Sequence, residues 1–245
     1  MIKKLSWIAA IGIGVGIIAS TLAATLVADE GGGFDFWRAF SLAESCPKDT
    51  QAATGAPERR WAWEGGDSVV IALPATVHYR GGEGDDVIAR GSPEAIAHIS
   101  VSGGTITTSC DGFAGGSKID ITLPGRVFSR VGLTGSAKIT MENINQTDFA
   151  ADITGSGSIN VSGSSKNVAI TIKGSGDAKF ADLVMEQLAV NISGSGNAEA
   201  APQKAADIAI KGSGDVKLLS RPAQLNTVIK GSGRIIQPSG VQSGN

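Results

Sequence analysis

A short phrase built on Gly-Ser-Gly recurs along the second half of the chain. Its leading glycines are Gly155, Gly174, Gly194, Gly212 and Gly231, and an imperfect copy, "TGSAKI", places Gly135 at the same point. The spacing stays at 18–20 residues throughout. Flexible Gly/Ser linkers keep no such period, and the segments between these copies are too apolar to be solvated coil. The repeat therefore indicates a regular structure.

Apolar and polar residues alternate on both sides of each phrase. Around Gly174 the apolar positions are Ile170, Ile172, Ala178 and Phe180. This period of two predicts two short strands per repeat, each with one buried face. One strand pair cannot bury that face alone, but stacked copies form a continuous core. The sequence therefore predicts an all-β fold, a parallel β-solenoid with coils of 18–20 residues, over residues 60–237.

The two glycines of each phrase are predicted to form the corner of a coil. Strand parity places both of them inward, where the chain turns and no side chain fits, and places the serine between them outward. In the first copy Ala137 replaces the second glycine, which predicts a wider corner. The predicted corner glycines are Gly155, Gly157, Gly174, Gly176, Gly194, Gly196, Gly212, Gly214, Gly231 and Gly233.

Stacking would align polar residues in outward columns. One predicted column contains Lys179, Glu199 and Lys217, whose charges alternate as cross-strand pairing favours, and a second contains Asp177, Asn197 and Asp215. Asp177 and Asp215 would lie two coils apart, at about 9.6 Å, close to the upper limit for the carboxylate pair of an inverting glycosidase. A carbohydrate-active enzyme that uses Asp177 and Asp215 is therefore the alternative hypothesis. Against it, nothing in the sequence nearby would raise the pKa of either carboxyl, as a general acid requires.

Neither a cofactor nor a metal is predicted. Phosphate-binding glycine loops lead into a helix, whereas each phrase here leads into a strand. The second column offers only two carboxylates and one amide, fewer oxygens than the roughly six to eight that Ca²⁺ takes. The two histidines, His78 and His98, lie in alternating stretches and are interpreted as surface or edge residues on strands.

The first 28 residues are predicted to form a separate hydrophobic helix. "MIKK" gives a positive start, and residues 5–28 contain no charged side chain. The apolar region of a signal peptide is normally about 7–15 residues long, whereas about 20 apolar residues span a bilayer. We interpret residues 1–28 as a signal peptide or transmembrane anchor, with the length in favour of an uncleaved anchor. Both interpretations predict export.

The segments on either side of the solenoid, the cysteines and the charge complete the sequence-based description. Residues 29–59 are predicted as an irregular linker with a short helix, and residues 238–245 as a polar tail. Cys46 and Cys110 are the only cysteines; in an exported chain they suggest one disulfide, with two free buried thiols as the alternative. Charged residues make up 18% of the chain and the net charge is −2, without a basic stripe, which argues against a nucleic-acid partner.

Before residue 131 the alternation is looser. The stretches "DSVVIALPATVHYRGG", "DDVIARG" and "SKIDITLPGRV" alternate and end at Gly or Pro, so they are predicted as strands of the same sheet system with irregular coil lengths. Trp61 and Trp63 lie two residues apart and are predicted to cover the open end of the core.

The phrases "TGSGSI", "KGSGDA", "SGSGNA", "KGSGDV" and "KGSGRI", preceded by "LPATVHYRGGEGDDVIARG", resemble the auto-transporter adhesin head domain family, also called the GIN domain family. The resemblance covers about residues 60–237. It implies an exported bacterial β-solenoid of the periplasm or cell surface without established catalytic residues. The sequence shows no sign of the long coiled-coil stalk or C-terminal barrel that a complete auto-transporter would carry.

The leading functional hypothesis is a non-enzymatic module of the cell envelope. Its flat β-faces would bind another envelope protein or a glycan, in adhesion or as a scaffold. Residues 5–28 would contact the membrane if they are not cleaved. Exposed strand edges at the ends of the solenoid would also allow a homo-oligomer.

Overall fold

The protein is described here from a computed structural model, which describes residues 58–109 and 118–238. The predicted helix within residues 1–28, nearly all of the linker, both cysteines and the polar tail beyond residue 238 lie outside these residues. Within the described residues, no helix combines the length and hydropathy needed to cross a membrane.

Fifteen strands of one sheet system and one short helix make up the described fold. The N-terminal elements are β1 (Glu58–Ala62), β2 (Ser68–Ala72), β3 (Thr76–Arg80), β4 (Asp86–Arg90), α1 (Pro93–Ala97), β5 (Ile99–Ser102), β6 (Thr105–Thr108) and β7 (Asp120–Thr122). The repeat region contains β8 (Arg130–Gly135), β9 (Lys138–Gly155), β10 (Ser158–Gly174), β11 (Asp177–Gly194), β12 (Asn197–Gly212), β13 (Asp215–Leu218), β14 (Gln224–Gly231) and β15 (Arg234–Ile236).

The repeat region is a parallel β-solenoid of about five turns, as the sequence predicts. From β8 to β15 every pairing is parallel, and residues at equivalent places in successive repeats are direct partners. The leading glycines form one such column, from Gly135 through Gly155, Gly174, Gly194 and Gly212 to Gly231. The period of the sequence is thus the length of one turn.

Each turn presents two well-paired outer faces. We call the short face the segments that follow the Ser-Gly corner, residues 138–142, 158–161, 177–180, 197–200, 215–218 and 234–236. We call the long face the segments that lead up to the next corner, residues 130–135, 148–155, 167–174, 187–194, 205–212 and 224–231. Between the two faces the pairing register shifts, for example at Gly163.

The core consists of inward side chains that lie over one another from turn to turn. Ile153, Ile172, Ile192 and Ile210 form one column with at most 1% of each residue exposed. Burying a side chain of this size contributes about 1.5–3 kcal/mol. The rings of Phe149 and Phe180 lie 6.0 Å apart in the same core.

The N-terminal part of the described chain belongs to the same sheet system but is only partly parallel. β1 pairs antiparallel with β4, β4 with β7, and β5 with β6. Gly103 and Gly104, with φ of 55° and 82°, reverse the chain between β5 and β6 because a two-residue turn of this hand needs positive φ at both positions. These strands do belong to the same sheet system, as expected, but the expectation of a parallel solenoid over all of residues 60–237 is wrong for this part.

The assignment of His98 to a strand is also wrong. His98 is the C-terminal cap of α1. At the other end of this helix, the N-cap Ser92 accepts a hydrogen bond from the Ala95 amide. The hydroxyl of Ser92 and Pro93 at the first turn favour a helix start there. His78 does lie on a strand, β3, and is exposed.

The N-terminal end of the sheet is closed by aromatic side chains and charges. The Trp63 ring meets the buried Phe128 ring edge-on at 5.3 Å, and the Arg59 guanidinium lies 4.8 Å from the centre of the Trp61 ring. Both tryptophans pack against the core. Glu58 forms ion pairs with Arg60 and Arg90 on and beside the first strand. The edge strand β1 therefore presents charge rather than open apolar surface.

Candidate functional site

The two glycines of each corner meet different neighbours. Gly174 has φ of 121°, and a Cβ built there would lie 2.5 Å from the Gly155 carbonyl oxygen of the preceding turn. A Cβ built on Gly176 would lie 2.5 Å from the Cγ2 of Ile153 in the core. The second glycine thus faces the interior, whereas the first faces the backbone of the turn beneath, which differs from the inward orientation that parity predicts for both.

The serine between these glycines is exposed, and its amide joins successive corners. The Ser175 amide donates to the Gly155 carbonyl at 2.9 Å, and the Ser195 amide donates to the Gly174 carbonyl at the same distance. The corner column is consequently a structural element made of backbone, without a catalytic group of its own.

A groove of roughly 370 Å³ runs along the long face. Its floor is a column of three outward alanines, Ala150, Ala169 and Ala189, which are register partners in successive turns. These small side chains lie lower than their neighbours, so the column forms a channel parallel to the solenoid axis. Arg130 precedes Ala150 in the column and Asp207 follows Ala189.

One wall of the groove is a row of polar side chains, Asp148, Asn167 and Gln187, again one per turn. The Asn167 Nδ2 donates to the Asp148 Oδ1 at 2.7 Å. Such a row repeats at the strand spacing of about 4.8 Å and offers both donors and acceptors to a ligand. The groove is therefore suited to an extended polar ligand that lies along the axis.

The charged residue that begins the alanine column is held in place by an ion pair. The Arg130 Nη1 lies 2.5 Å from the Asp152 Oδ2. Beyond the last alanine, the Asn226 Nδ2 donates to the Asp207 Oδ1 at 2.7 Å. These contacts fix the polar groups at both ends of the alanine column.

On the short face, the structure brings the column of Asp177, Asn197 and Asp215 together. The Asn197 Nδ2 donates to the Asp177 Oδ1 at 2.9 Å, and the Asp215 amide donates to the Asn197 Oδ1 at 3.3 Å. The side chain of Asn197 therefore bridges the two turns that carry the carboxylates and occupies the space between them.

Asp215 also has a charged partner. The Arg234 Nη2 lies 2.7 Å from the Asp215 Oδ2. The hydrogen bond from Arg234 lowers the pKa of the Asp215 carboxyl below its usual value. In the neighbouring column the Lys217 Nζ lies 2.7 Å from the Glu199 Oε1. The contact with Arg234 stabilises the ionised form of Asp215, which is the opposite of what a general acid needs.

Metal binding has no candidate in the part of the chain that the structure describes. No group of three or more His, Cys, Asp or Glu side chains there could hold an ion. The buried side-chain polar atoms of the same residues all have hydrogen-bond partners, so none is left directed at an absent ligand.

The long-face groove is the functional candidate that sequence reasoning missed. An alanine at an outward strand position is ordinary, and its methyl group carries no functional group that would suggest a binding site. The signal that could have found it is the recurrence of Ala150, Ala169 and Ala189 at the repeat spacing, on the polar rather than the apolar parity.

The architecture and the repeat can now be compared with known proteins. The family model described as "Putative auto-transporter adhesin, head GIN domain" matches residues 92–222, more than half of the chain. The chain belongs to this family. The resemblance drawn from the repeated phrase is thereby confirmed. No curated protein matches the sequence.

One of the solved structures similar to this chain shares the fold of this GIN domain. A putative adhesin from Bacteroides fragilis NCTC 9343 aligns with a TM-score of 0.60 at 18% identity, over 76% of this chain and 99% of that chain. A putative lipid binding protein from Parabacteroides distasonis ATCC 8503 aligns with a TM-score of 0.42 at 18% identity, over 74% and 96% of the two chains. At this identity the first likeness shows the fold alone.

Proposed function

We propose that this GIN domain is an exported, non-enzymatic binding module of the bacterial cell envelope. Its long-face groove would hold a glycan or a segment of another envelope protein, in adhesion or as a scaffold. The single observation that carries the proposal is the alanine-floored groove with its row of amide and carboxylate side chains. Membership of an adhesin head family supports the same kind of activity.

The chemistry of the groove favours a glycan as ligand. Amide side chains donate hydrogen bonds to hydroxyl groups and accept them, and carboxylates accept them. Asp148, Asn167 and Gln187 present such groups in a straight row. The alanine methyl groups offer a shallow apolar floor beside that row. A polymer of repeating polar units could therefore make similar contacts on each turn.

Residues 1–28 supply the argument for location. Their positive start and uncharged stretch of residues 5–28 favour export and, because of their length, retention as a membrane anchor. The module would then stand in the periplasm or on the cell surface. The intact mass of the protein recovered from its native membrane fraction tests this point, since loss of the segment would show a cleaved signal peptide.

The groove can be tested by filling it. Ala169→Arg places a long cationic side chain in the middle of the alanine column, so binding of a groove ligand is expected to weaken about tenfold or more, which corresponds to at least about 1.4 kcal/mol. The measurement is binding of the full chain to an array of purified bacterial and host polysaccharides, together with capture of solubilised envelope proteins.

Asn160→Arg is the matched control, because Asn160 is an exposed outward residue of the short face. It adds the same charge to the same turn without entering the groove. If both variants lose binding equally, charge rather than the groove decides the interaction. Absence of any glycan or protein ligand for the unmodified chain would count against the proposed function itself.

A carbohydrate-active enzyme using Asp177 and Asp215 is the second candidate. In its favour, both residues line one shallow depression on the short face. Against it, the amide of Asn197 lies between them and the pKa of Asp215 is lowered. We therefore expect Asp177→Asn to leave polysaccharide-cleaving activity unchanged from the wild-type level, measured as reducing ends released from the same polysaccharides. A loss of activity in this variant would establish the enzyme instead.

A further inference from the structure

The open end of the solenoid exposes apolar side chains. Among the described residues six large hydrophobic side chains are exposed, and four of them belong to the last turn: Leu219, Val228, Ile229 and Ile236. Ile229 is 42% exposed, whereas Ile210, its register partner one turn earlier, is fully buried. Ile229 is thus an inward residue that has no further turn above it among the described residues.

The backbone of this last turn is open as well. Within the described residues β14 pairs with β12 alone. The Ala150 amide donates a hydrogen bond to the Ser129 carbonyl of the preceding turn. Asn226 belongs to the same column of register partners as Ala150, so its backbone polar groups also point to the preceding turn, here β12. Since alternate residues of a parallel strand direct their polar groups to opposite sides, Thr227 and Ile229 direct theirs to the open edge.

The two ends of the solenoid differ in character. The N-terminal end has two edge strands among the described residues, β1 and β5. β1 contains Glu58, Arg59 and Arg60 within five residues, whereas β5 is uncharged but only four residues long. At the other end β14 has one charged residue, Lys230, among eight. Charged edge strands resist pairing with another chain, and uncharged ones invite it. Stacking of one copy's open end on the next copy's N-terminal end is therefore disfavoured at β1 by charge. At β5 it is disfavoured by length, because four residues can pair with only half of β14. Pairing of β14 with β14 of a second copy instead matches two strands of equal length.

We propose that a second copy of the chain covers this end, with β14 of each copy paired antiparallel about a two-fold axis at Val228. Two identical strands related by such an axis must run antiparallel. Val228 then lies opposite the partner's Val228, and Thr227 lies opposite the partner's Ile229, so inward residues meet inward residues. Lys230 lies opposite the partner's Asn226, which avoids a pair of like charges.

This pairing extends the long face across both copies. The segments 224–231 of the two protomers become adjacent strands, so the outward polar residues of the two solenoids lie side by side across the seam. Ile229 of each copy becomes interior, whereas Val228, which has the outward parity of its partner Ala209, lies on the outer surface opposite the partner's Val228. The dimer goes beyond the proposed function and does not depend on which ligand the groove holds.

Disulfide trapping tests the pairing in the full chain. Cys46 and Cys110 are first replaced by serine, and Val228→Cys is then introduced and oxidised with copper phenanthroline in detergent micelles. Val228 would occupy a non-hydrogen-bonded antiparallel pair, where Cα atoms lie about 4.5 Å apart, within reach of a disulfide. We expect the covalent dimer to form at least about tenfold faster than in the control described next.

Val184→Cys in the same background is the matched control, because Val184 is 59% exposed against 56% for Val228 and lies away from the open end. Any association of chains that the N-terminal segment causes in micelles would affect this control and the Val228→Cys variant equally. Adding Thr227→Pro to Val228→Cys removes an amide that faces the open edge, and should abolish fast trapping while leaving the pairing of β14 with β12 intact. Equal trapping at residues 184 and 228, or fast trapping despite the proline, would overturn the dimer. Neither readout involves the ligand, so failure of the groove hypothesis would leave both unchanged.

Discussion

Gly174→Ala is expected to destabilise the solenoid by roughly 2–6 kcal/mol. The backbone there has φ of 121°, a conformation that L residues other than glycine adopt at a cost of about 1–3 kcal/mol. The added Cβ would also lie 2.5 Å from the Gly155 carbonyl oxygen, which cannot move without separating two paired turns. Overpacking of this kind costs about 1–3 kcal/mol or more. The measurement is the free energy of unfolding in urea, followed by circular dichroism.

Gly135→Ala is the control that separates the two causes. Gly135 begins the same column with φ of 97°, but no atom lies within 4 Å of the position that its Cβ would take. Backbone strain alone therefore predicts a loss of about 1–3 kcal/mol for this variant. If the two substitutions reduced the free energy of unfolding equally, the close contact between successive corners would contribute nothing.

The solenoid could be predicted because each level of the sequence indicates the same structure. Alternation around Gly174 requires strands, the recurrence of the phrase fixes the length of a turn, and apolar residues at matching places require stacking. The register partners Ile153, Ile172 and Ile192 are therefore those that alignment of the repeats proposes. No long-range information beyond the repeat is needed.

The N-terminal part could not be predicted in the same way because it has no repeat. Alternation identifies strands but does not say which neighbour a strand pairs with or in which direction. The reversal at Gly103 and Gly104 makes β5 and β6 an antiparallel hairpin, and α1 is too short to show a helical period. These features depend on local turn chemistry, which alternation alone does not reveal.

For the candidate sites, position was predictable and chemistry was not. The repeat correctly aligns Asp177 with Asn197, but only the structure shows that the amide of Asn197 bridges towards Asp215. Lys211 and Lys230 are register partners of like charge, as alignment implies, and both are exposed to solvent. The alanine-floored groove depends on how far neighbouring side chains project from the sheet. This cannot be predicted from residue types alone.

Ile172→Asp is expected to destabilise the protein by about 5 kcal/mol or more, comparable with the whole stability of many domains. Ile172 is fully buried between its register partners Ile153 and Ile192. Truncating a buried isoleucine costs about 2–5 kcal/mol, and the introduced carboxyl has no hydrogen-bonding partner in an aliphatic column. The variant should therefore show a strongly lowered melting temperature, or no cooperative transition, in circular dichroism.

Lys173→Asp provides the comparison that makes this result specific. Lys173 is the next residue of β10, exposed on the long face, with Thr154 and Ser193 as register partners, so the new carboxylate meets water and no like charge. Its effect should stay within about 0.5 kcal/mol, as for other surface substitutions. A large loss at residue 173 with a small one at residue 172 would reverse the assignment of inner and outer faces. Because strand parity is shared through the register of every turn, it would also move the alanine column from the surface into the core.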